Sequence, residues 1–127
     1  MSEGQVDVYG GVDTHRDVHV AAVVDSTGRV LGTAPFPADK TGYEQLGDWL
    51  GSQGRVVGVG VEGTGSYGAG LTRHLTSVGF EVVEVNRPNR QLRRRLGKTD
   101  TTDAEAAARA VLSGQATVLT ISESAQT

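Results

Sequence analysis

Short runs of apolar residues, separated by turn residues, occupy the first third of the chain and predict β-strands. The strands are predicted over Val8–Asp13, Val18–Asp25 and Arg29–Phe36. The segment Asp25–Gly28 has the composition of a hairpin turn, with glycine at the position that needs a positive φ. This part of the sequence therefore predicts three consecutive antiparallel strands.

Apolar residues at helical spacing begin after residue 40 and predict two helices. Thr41 is expected to cap a first helix over Gly42–Ser52. A second helix is expected over Gly65–Val78, and its inward face would run from Tyr67 to Val78.

Two further segments, Arg55–Val61 and Phe80–Val85, have no polar face, which is typical of strands buried on both sides. Beyond them, a short basic helix is predicted over Pro88–Leu96 and an alanine-rich helix over Thr101–Ser113. The chain therefore changes from antiparallel strands to alternating strands and helices.

This order of elements predicts an α/β fold with a mixed five-stranded sheet, strand order 3-2-1-4-5, and helices on both faces. That arrangement is the ribonuclease-H-like fold, which actin-like ATPases share, so the fold alone does not choose a function. We expect one domain over residues 8–114, a flexible N-terminus over 1–7, and a tail or linker over 115–127.

The composition narrows the class of protein. A chain of 127 residues suits one domain, and the absence of cysteine excludes disulfides and thiolate chemistry. No apolar run approaches the roughly 18 residues of a membrane span. The polar N-terminus does not have the pattern of a secretory signal. We therefore expect a cytoplasmic protein with no membrane partner.

The net charge of −3 conceals a segregation of charge. Residues 87–98 hold six of the 12 basic residues and no acid, whereas all 15 acidic residues lie elsewhere. Such a segment could neutralise several phosphates, which favours nucleic-acid binding over a merely solvated helical face. The predicted contacts are Arg87, Arg90, Arg93, Arg94, Arg95 and Lys98.

Two acids each end an apolar strand: Asp13 ends the first and Glu62 follows the fourth. If these strands are parallel neighbours, both carboxylates emerge at the carboxyl edge of the sheet, where α/β folds bind ligands. Close carboxylates repel unless a cation or a shared proton lies between them, and Mg²⁺ prefers oxygen ligands. The alternative is that each acid only begins a turn.

Asp100 and Asp103 are spaced by three residues, which places them on one face of an opening helical turn. The alternative is a capping box between Thr102 and Glu105. With the two strand acids they make a set of four that could hold two divalent ions. Such a pair of ions stabilises the attacking and leaving oxygens in phosphodiester chemistry.

The remaining polar features are interpreted as structural. Residues 63–66 could hold a phosphate at a helix N-terminus, but they lack a P-loop lysine, and a flexible turn is the preferred interpretation. His15 and His19 are expected to be exposed, on a loop and an edge strand, without sharing a metal. Ser66 has no evident base beside it and is not predicted to be a nucleophile.

The order and spacing of these motifs resemble those of the DEDD transposases of bacterial insertion sequences. These are RuvC-like recombinases related to the Piv invertases, and their better-studied members are guided by a bridge RNA. The resemblance covers about residues 8–121 and rests on residues 11–17, 61–68, 86–88, 97–100 and 103–106. It implies that the family's metal-binding catalytic acids are Asp13, Glu62, Asp100 and Asp103. It also implies Mg²⁺, with Mn²⁺ as a substitute, and DNA strand cleavage and transfer during transposition or site-specific recombination.

The resemblance further implies DNA and guide RNA as partners and assembly into homo-oligomers. Arg16 stands where lysine is more usual in the family. The family also has a C-terminal domain with a serine nucleophile, so these 127 residues are expected to be the N-terminal catalytic domain.

Two other functions remain open from the residues alone. One is a non-catalytic RNA-binding, DNA-binding or assembly module, in which the acids are caps and the arginines bind. The other is half of an actin-like ATPase, although Thr14 and His15 follow the first-strand acid where such phosphate loops usually need glycine.

Overall fold

The computed structural model describes residues 6–85, 100–114 and 117–118. Its elements are β1 (Asp7–Thr14), β2 (Val18–Asp25), β3 (Val30–Pro37), α1 (Lys40–Gly51), β4 (Arg55–Val61), α2 (Ala69–Ser77), β5 (Val82–Glu84), α3 (Asp100–Ser113) and β6 (Thr117–Val118). Within these ranges, no helix is both long and apolar enough to cross a membrane.

The strands form one mixed sheet in the order β3-β2-β1-β4-β5-β6. β2 pairs antiparallel with both β1 and β3, whereas β4 pairs parallel with both β1 and β5. The α/β class and the predicted order of the first five strands are confirmed. The short strand β6 adds a sixth position, antiparallel to β5, with Val118 opposite Val83.

Helices cover both faces of the sheet, as predicted, and two adjacent glycines of β1 show this directly. A Cβ atom on Gly10 would lie 3.1 Å from Leu50 of α1, whereas one on Gly11 would meet the backbone of α3 at Ala108. Successive residues of a strand point to opposite faces, so α1 and α3 lie on opposite sides. The main apolar core, which includes Leu46, Leu50, Leu71 and Leu75, lies on the side of α1 and α2.

The start of α1 differs from the prediction. The helix begins at Lys40, and its N-cap is Asp39, whose carboxylate accepts a hydrogen bond from the Gly42 N–H at 2.8 Å. Asp39 has the extended backbone that an N-cap requires, whereas Thr41 already lies inside the helix. The prediction of Thr41 as the cap was therefore wrong.

The start of α2 also differs, because the helix begins at Ala69 instead of Gly65. The preceding residues form turns, so Tyr67 is 57% exposed although helical spacing predicted it to face inward. Val78 follows the last helical residue and is 56% exposed, which also contradicts the prediction. Leu71 and Leu75 are fully buried, as expected for the inward face.

Candidate active site

The helix α3 lies directly on the backbone of the sheet. A Cβ atom on Gly11 of β1 would overlap the backbone of Ala104 and Ala108. One on Gly60 of β4 would lie 2.9 Å from the Ala107 carbonyl oxygen. Since these distances leave no room for a side chain, paired glycines and alanines are what allow the helix and sheet to meet so closely.

The register between β4 and α3 fixes which residues meet at the end of the sheet. A Cβ atom on Gly58 would contact Val111, whereas one on Gly60 would contact both Val111 and the carbonyl oxygen of Ala107, so the contact shifts by up to four helical residues over two strand residues. These steps have nearly equal length, about 6.6 Å in a strand and about 6 Å in a helix. If the same direction continues, Glu62 lies toward the first turn of α3, which contains Asp103. The helix therefore runs antiparallel to β4.

The first-strand acid reaches the same place. Val12 of β1 is in register with Val61 of β4, and the Glu62 N–H donates to the Val12 carbonyl oxygen at 3.3 Å. Asp13 follows Val12 directly and shares the face of Gly11, two residues earlier, against which α3 packs. The carboxyl edge of the sheet therefore holds Asp13, Glu62 and the first turn of α3.

Three of the four candidate metal ligands have described side chains, and all three are buried, with 0% of Asp13, 4% of Glu62 and 2% of Asp103 exposed. Among the residues that the structure describes, however, no three His, Asp or Glu side chains are grouped so that they could hold a metal. Asp100 is the first residue of α3, and its side chain lies outside the description. The strand acids and the first turn of α3 thus lie toward one edge of the sheet, and the described side chains do not form a metal-binding group.

His15 contacts the candidate site, which the sequence analysis did not predict. Its Nε2 lies 3.0 Å from Oδ2 of Asp13, and its side chain is partly buried. The expectation of an exposed loop histidine was therefore wrong. The available signal was the spacing of two residues, because residues i and i+2 at the end of a strand lie on one side of the chain.

His19 is also buried, contrary to the prediction of an exposed edge-strand residue. It lies on β2, which is an interior strand because β1 and β3 pair with its two sides. Its ring stacks on Tyr43 of α1, with centroids 5.9 Å apart and planes 9° apart. Burial lowers the pKa of the His19 imidazole, and the neighbouring His15 adds to this effect.

The turn after Glu62 is held by hydrogen bonds. The Thr14 hydroxyl donates to the Glu62 carbonyl at 2.7 Å, and the N–H groups of Ser66 and Gly68 both donate to the Gly63 carbonyl. Gly63 has φ +71°, which other residues rarely adopt. Because α2 begins only at Ala69, residues 63–66 do not form a helix N-terminus, and the alternative of a phosphate site at such a terminus was wrong.

The structure also excludes the capping box between Thr102 and Glu105, which was the alternative explanation for Asp100 and Asp103. Since α3 begins at Asp100, Thr102 lies inside its first turn and does not occupy the N-cap position of a capping box with Glu105. The basic residues Arg87, Arg90, Arg93, Arg94, Arg95 and Lys98 and the helix predicted over 88–96 lie outside the described residues.

Three comparisons with known proteins were made, and one of them identifies the family of the chain. A search of curated proteins found no match. A solved structure that is similar to this chain is the ethanolamine utilization protein EutJ from Carboxydothermus hydrogenoformans, at 17% identity and a TM-score of 0.42. The similarity covers 77% of this chain and 45% of that one, so this chain spans less than half of the solved protein. A family model described as Transposase, that of the IS110-type DEDD proteins, matches residues 10–127. Because this match extends over most of the length of the chain, the chain belongs to the IS110-type DEDD transposase family.

Proposed function

We propose that this chain forms the metal-binding catalytic domain of a DEDD transposase. Divalent ions, Mg²⁺ with Mn²⁺ as a substitute, would be held by Asp13, Glu62, Asp100 and Asp103. The observation that carries the proposal is the antiparallel packing of α3 on β4, which directs the first turn of α3, with Asp103, toward the end of β4 that precedes Glu62. Family membership supports it over the half of an actin-like ATPase.

The chemistry of the donor set agrees with Mg²⁺. Carboxylate oxygens are the ligands that this ion prefers, and it needs few protein ligands because it keeps several waters. Burying several carboxylates at one edge costs free energy through desolvation and mutual repulsion, and a cation offsets both. The burial of Asp13, Glu62 and Asp103 supports this assignment, and Asp100 would complete the site.

Asp13, Glu62, Asp100 and Asp103 would hold two such ions, whose charge would supply stabilisation of the attacking and leaving oxygens of a phosphodiester. The protein's own contribution is positional. Two adjacent strands and one helix, which meet closely at Gly11 and Gly60, would hold the carboxylates in position. His15 restrains Asp13 through the 3.0 Å contact with its Oδ2 atom. The reaction class supported by this arrangement is metal-dependent cleavage and transfer of DNA strands.

The proposed partners are nucleic acids. Six basic residues over 87–98 precede Asp100 closely in the chain. We propose that they bind the phosphates of a nucleic acid whose cleaved bond lies at the acids. DNA is the substrate implied by the family, and we propose a guide RNA as a further partner. We also propose that the protein acts as a homo-oligomer in the cytoplasm, at the nucleoid.

The proposal is tested by calorimetric titration of Mn²⁺ into the wild-type chain and into Asp13→Asn. We expect the substitution to weaken binding more than about tenfold, since even the loss of an outer-shell partner costs about that much. Asp48→Asn is the matched control, because Asp48 is exposed on α1, on the opposite face from α3. Unchanged affinity in Asp13→Asn, with its circular dichroism spectrum unchanged, would contradict the assignment of the site.

A further inference from the structure

An exposed aromatic side chain lies in the turn that follows Glu62. Tyr67 is 57% exposed, although aromatic residues make up only 5% of the chain. Exposed tyrosines are frequent contacts for partners, because their rings offer a large rigid surface and a polar tip. The position of Tyr67, five residues after one of the proposed metal ligands, makes it a candidate for contact with the substrate.

The backbone around Tyr67 is fixed to the end of β4. Its neighbours Ser66 and Gly68 both donate their N–H groups to the Gly63 carbonyl, at 2.9 and 2.8 Å. A Cβ atom on Gly68 would lie 2.9 Å from Val61 and 3.0 Å from the Glu62 carbonyl oxygen, so this part of the turn packs directly on the strand end. The tyrosine is therefore held at the same edge of the sheet as the acids.

Acids that hold metal ions would be engaged with the phosphodiester and would not contact a base face. Carboxylates and their ions act on the phosphodiester, and phosphate contacts position a nucleic acid without reading it. A base beside the scissile phosphate needs a separate surface, and an aromatic face serves any base because every base has a π-face.

We propose that the Tyr67 ring stacks on an unpaired base next to the phosphodiester held at the acids. This inference rests on the proposed function, because it places the substrate at the edge defined by Glu62. The occupant is a nucleobase of single-stranded or locally opened nucleic acid. A contact between Tyr67 and a protein partner is the competing outcome of the test.

The experiment measures binding of a fluorescein-labelled single-stranded DNA of about 20 nucleotides, longer than typical binding-site sizes. Fluorescence anisotropy in the presence of Mg²⁺ gives Kd for the wild-type chain, Tyr67→Ala and Tyr67→Phe. A second DNA carrying 2-aminopurine at intervals reports stacking at saturation. Val78→Ala is the matched control, since Val78 is equally exposed but lies at the far end of α2.

We expect Tyr67→Ala to raise Kd about tenfold and Tyr67→Phe to change it less than about twofold, because stacking needs the ring and not the hydroxyl. The 2-aminopurine emission of the bound DNA should differ between wild type and Tyr67→Ala, and match between wild type and Tyr67→Phe. Val78→Ala should leave both signals unchanged.

Equal Kd and equal 2-aminopurine emission for wild type and Tyr67→Ala would overturn the inference, as would the absence of DNA binding by the wild-type chain. Mn²⁺ titration of Tyr67→Ala separates this failure from failure of the proposed function. Retained Mn²⁺ binding with no effect on DNA removes only the role of Tyr67, whereas absence of Mn²⁺ binding in the wild type removes the metal site itself.

Discussion

Gly60 of β4 lies against the carbonyl oxygen of Ala107 in α3, where even a methyl group would come within 2.9 Å of that oxygen. The same methyl group would lie 2.6 Å from Val85 and 2.7 Å from Val111. This contact sets the height of α3 above the sheet and, through it, the distance between Asp103 and the strand acids.

Gly60→Ala should destabilise the protein by about 1–3 kcal/mol, because added atoms in a close-packed interface force the backbones apart. Urea unfolding measures the change. Gly65→Ala is the control, since a Cβ atom at Gly65 would meet nothing within 4 Å, and its effect should stay within about 0.5 kcal/mol. Equal stability of the two variants would contradict the close contact.

Asp39→Ala should cost about 1 kcal/mol, because it removes the side-chain acceptor for the Gly42 N–H at the start of α1. Thr41→Ala should have a much smaller effect, since Thr41 is exposed and lies inside the helix. Thermal or urea unfolding of both variants checks this. A larger loss of stability for Thr41→Ala than for Asp39→Ala would indicate that Thr41 is the N-cap.

The buried imidazole of His19 makes stability depend on pH. Because burial lowers the pKa of His19 in the folded state, the unfolded chain binds a proton more readily. Stability is therefore full above about pH 6.5, the ordinary pKa of histidine, and falls as the pH decreases below it, by up to about 1.4 kcal/mol per pH unit.

The check is urea unfolding of the wild type and His19→Phe at pH 7.5 and 5.5, values on either side of the ordinary histidine pKa of about 6.5. Phenylalanine keeps a ring to stack on Tyr43 but cannot be protonated. We expect the variant to lose less stability than the wild type on acidification. An identical loss in both proteins would show that His19 does not carry the effect.

His15→Ala should weaken Mn²⁺ binding about tenfold without unfolding the protein, because the contact with Oδ2 restrains the Asp13 carboxylate. His74→Ala is the control, since His74 lies on α2 and contacts Tyr43. Calorimetric titration compares the two variants with the wild type. If both histidines prove equally dispensable for Mn²⁺ binding, the positioning role of His15 is wrong.

The sequence sufficed for the strand order and for the placement of Asp13 and Glu62, because apolar runs and crossover rules determine which strands become neighbours. The sequence did not reveal that α1 covers His19 of β2, since the burial of His19 depends on the docking of α1. Tyr67 was misplaced for a different reason. Helical spacing continues through residues that hydrogen bonds to the Gly63 carbonyl hold in a turn instead.

The close approach of α3 was also beyond prediction, although its cause is visible afterwards. In the sequence, Gly11 and Gly60 indicate only positions within strands, and the alanines indicate only a helix. These glycines and alanines act together, because small residues on both the sheet and the helix allow the two backbones to touch. Pairing residues that lie far apart in the chain requires the three-dimensional register.

The most direct test of the central claim is an NMR titration of the chain with Mn²⁺, whose unpaired electrons broaden amide signals near the ion. If one edge of the sheet holds the ion, broadening should begin at Asp13, Glu62, Asp100 and Asp103 and should spare the turn at Asp25–Gly28, at the opposite end of β2. Uniform broadening, no broadening, or broadening centred on other residues would contradict a metal site built from these four acids.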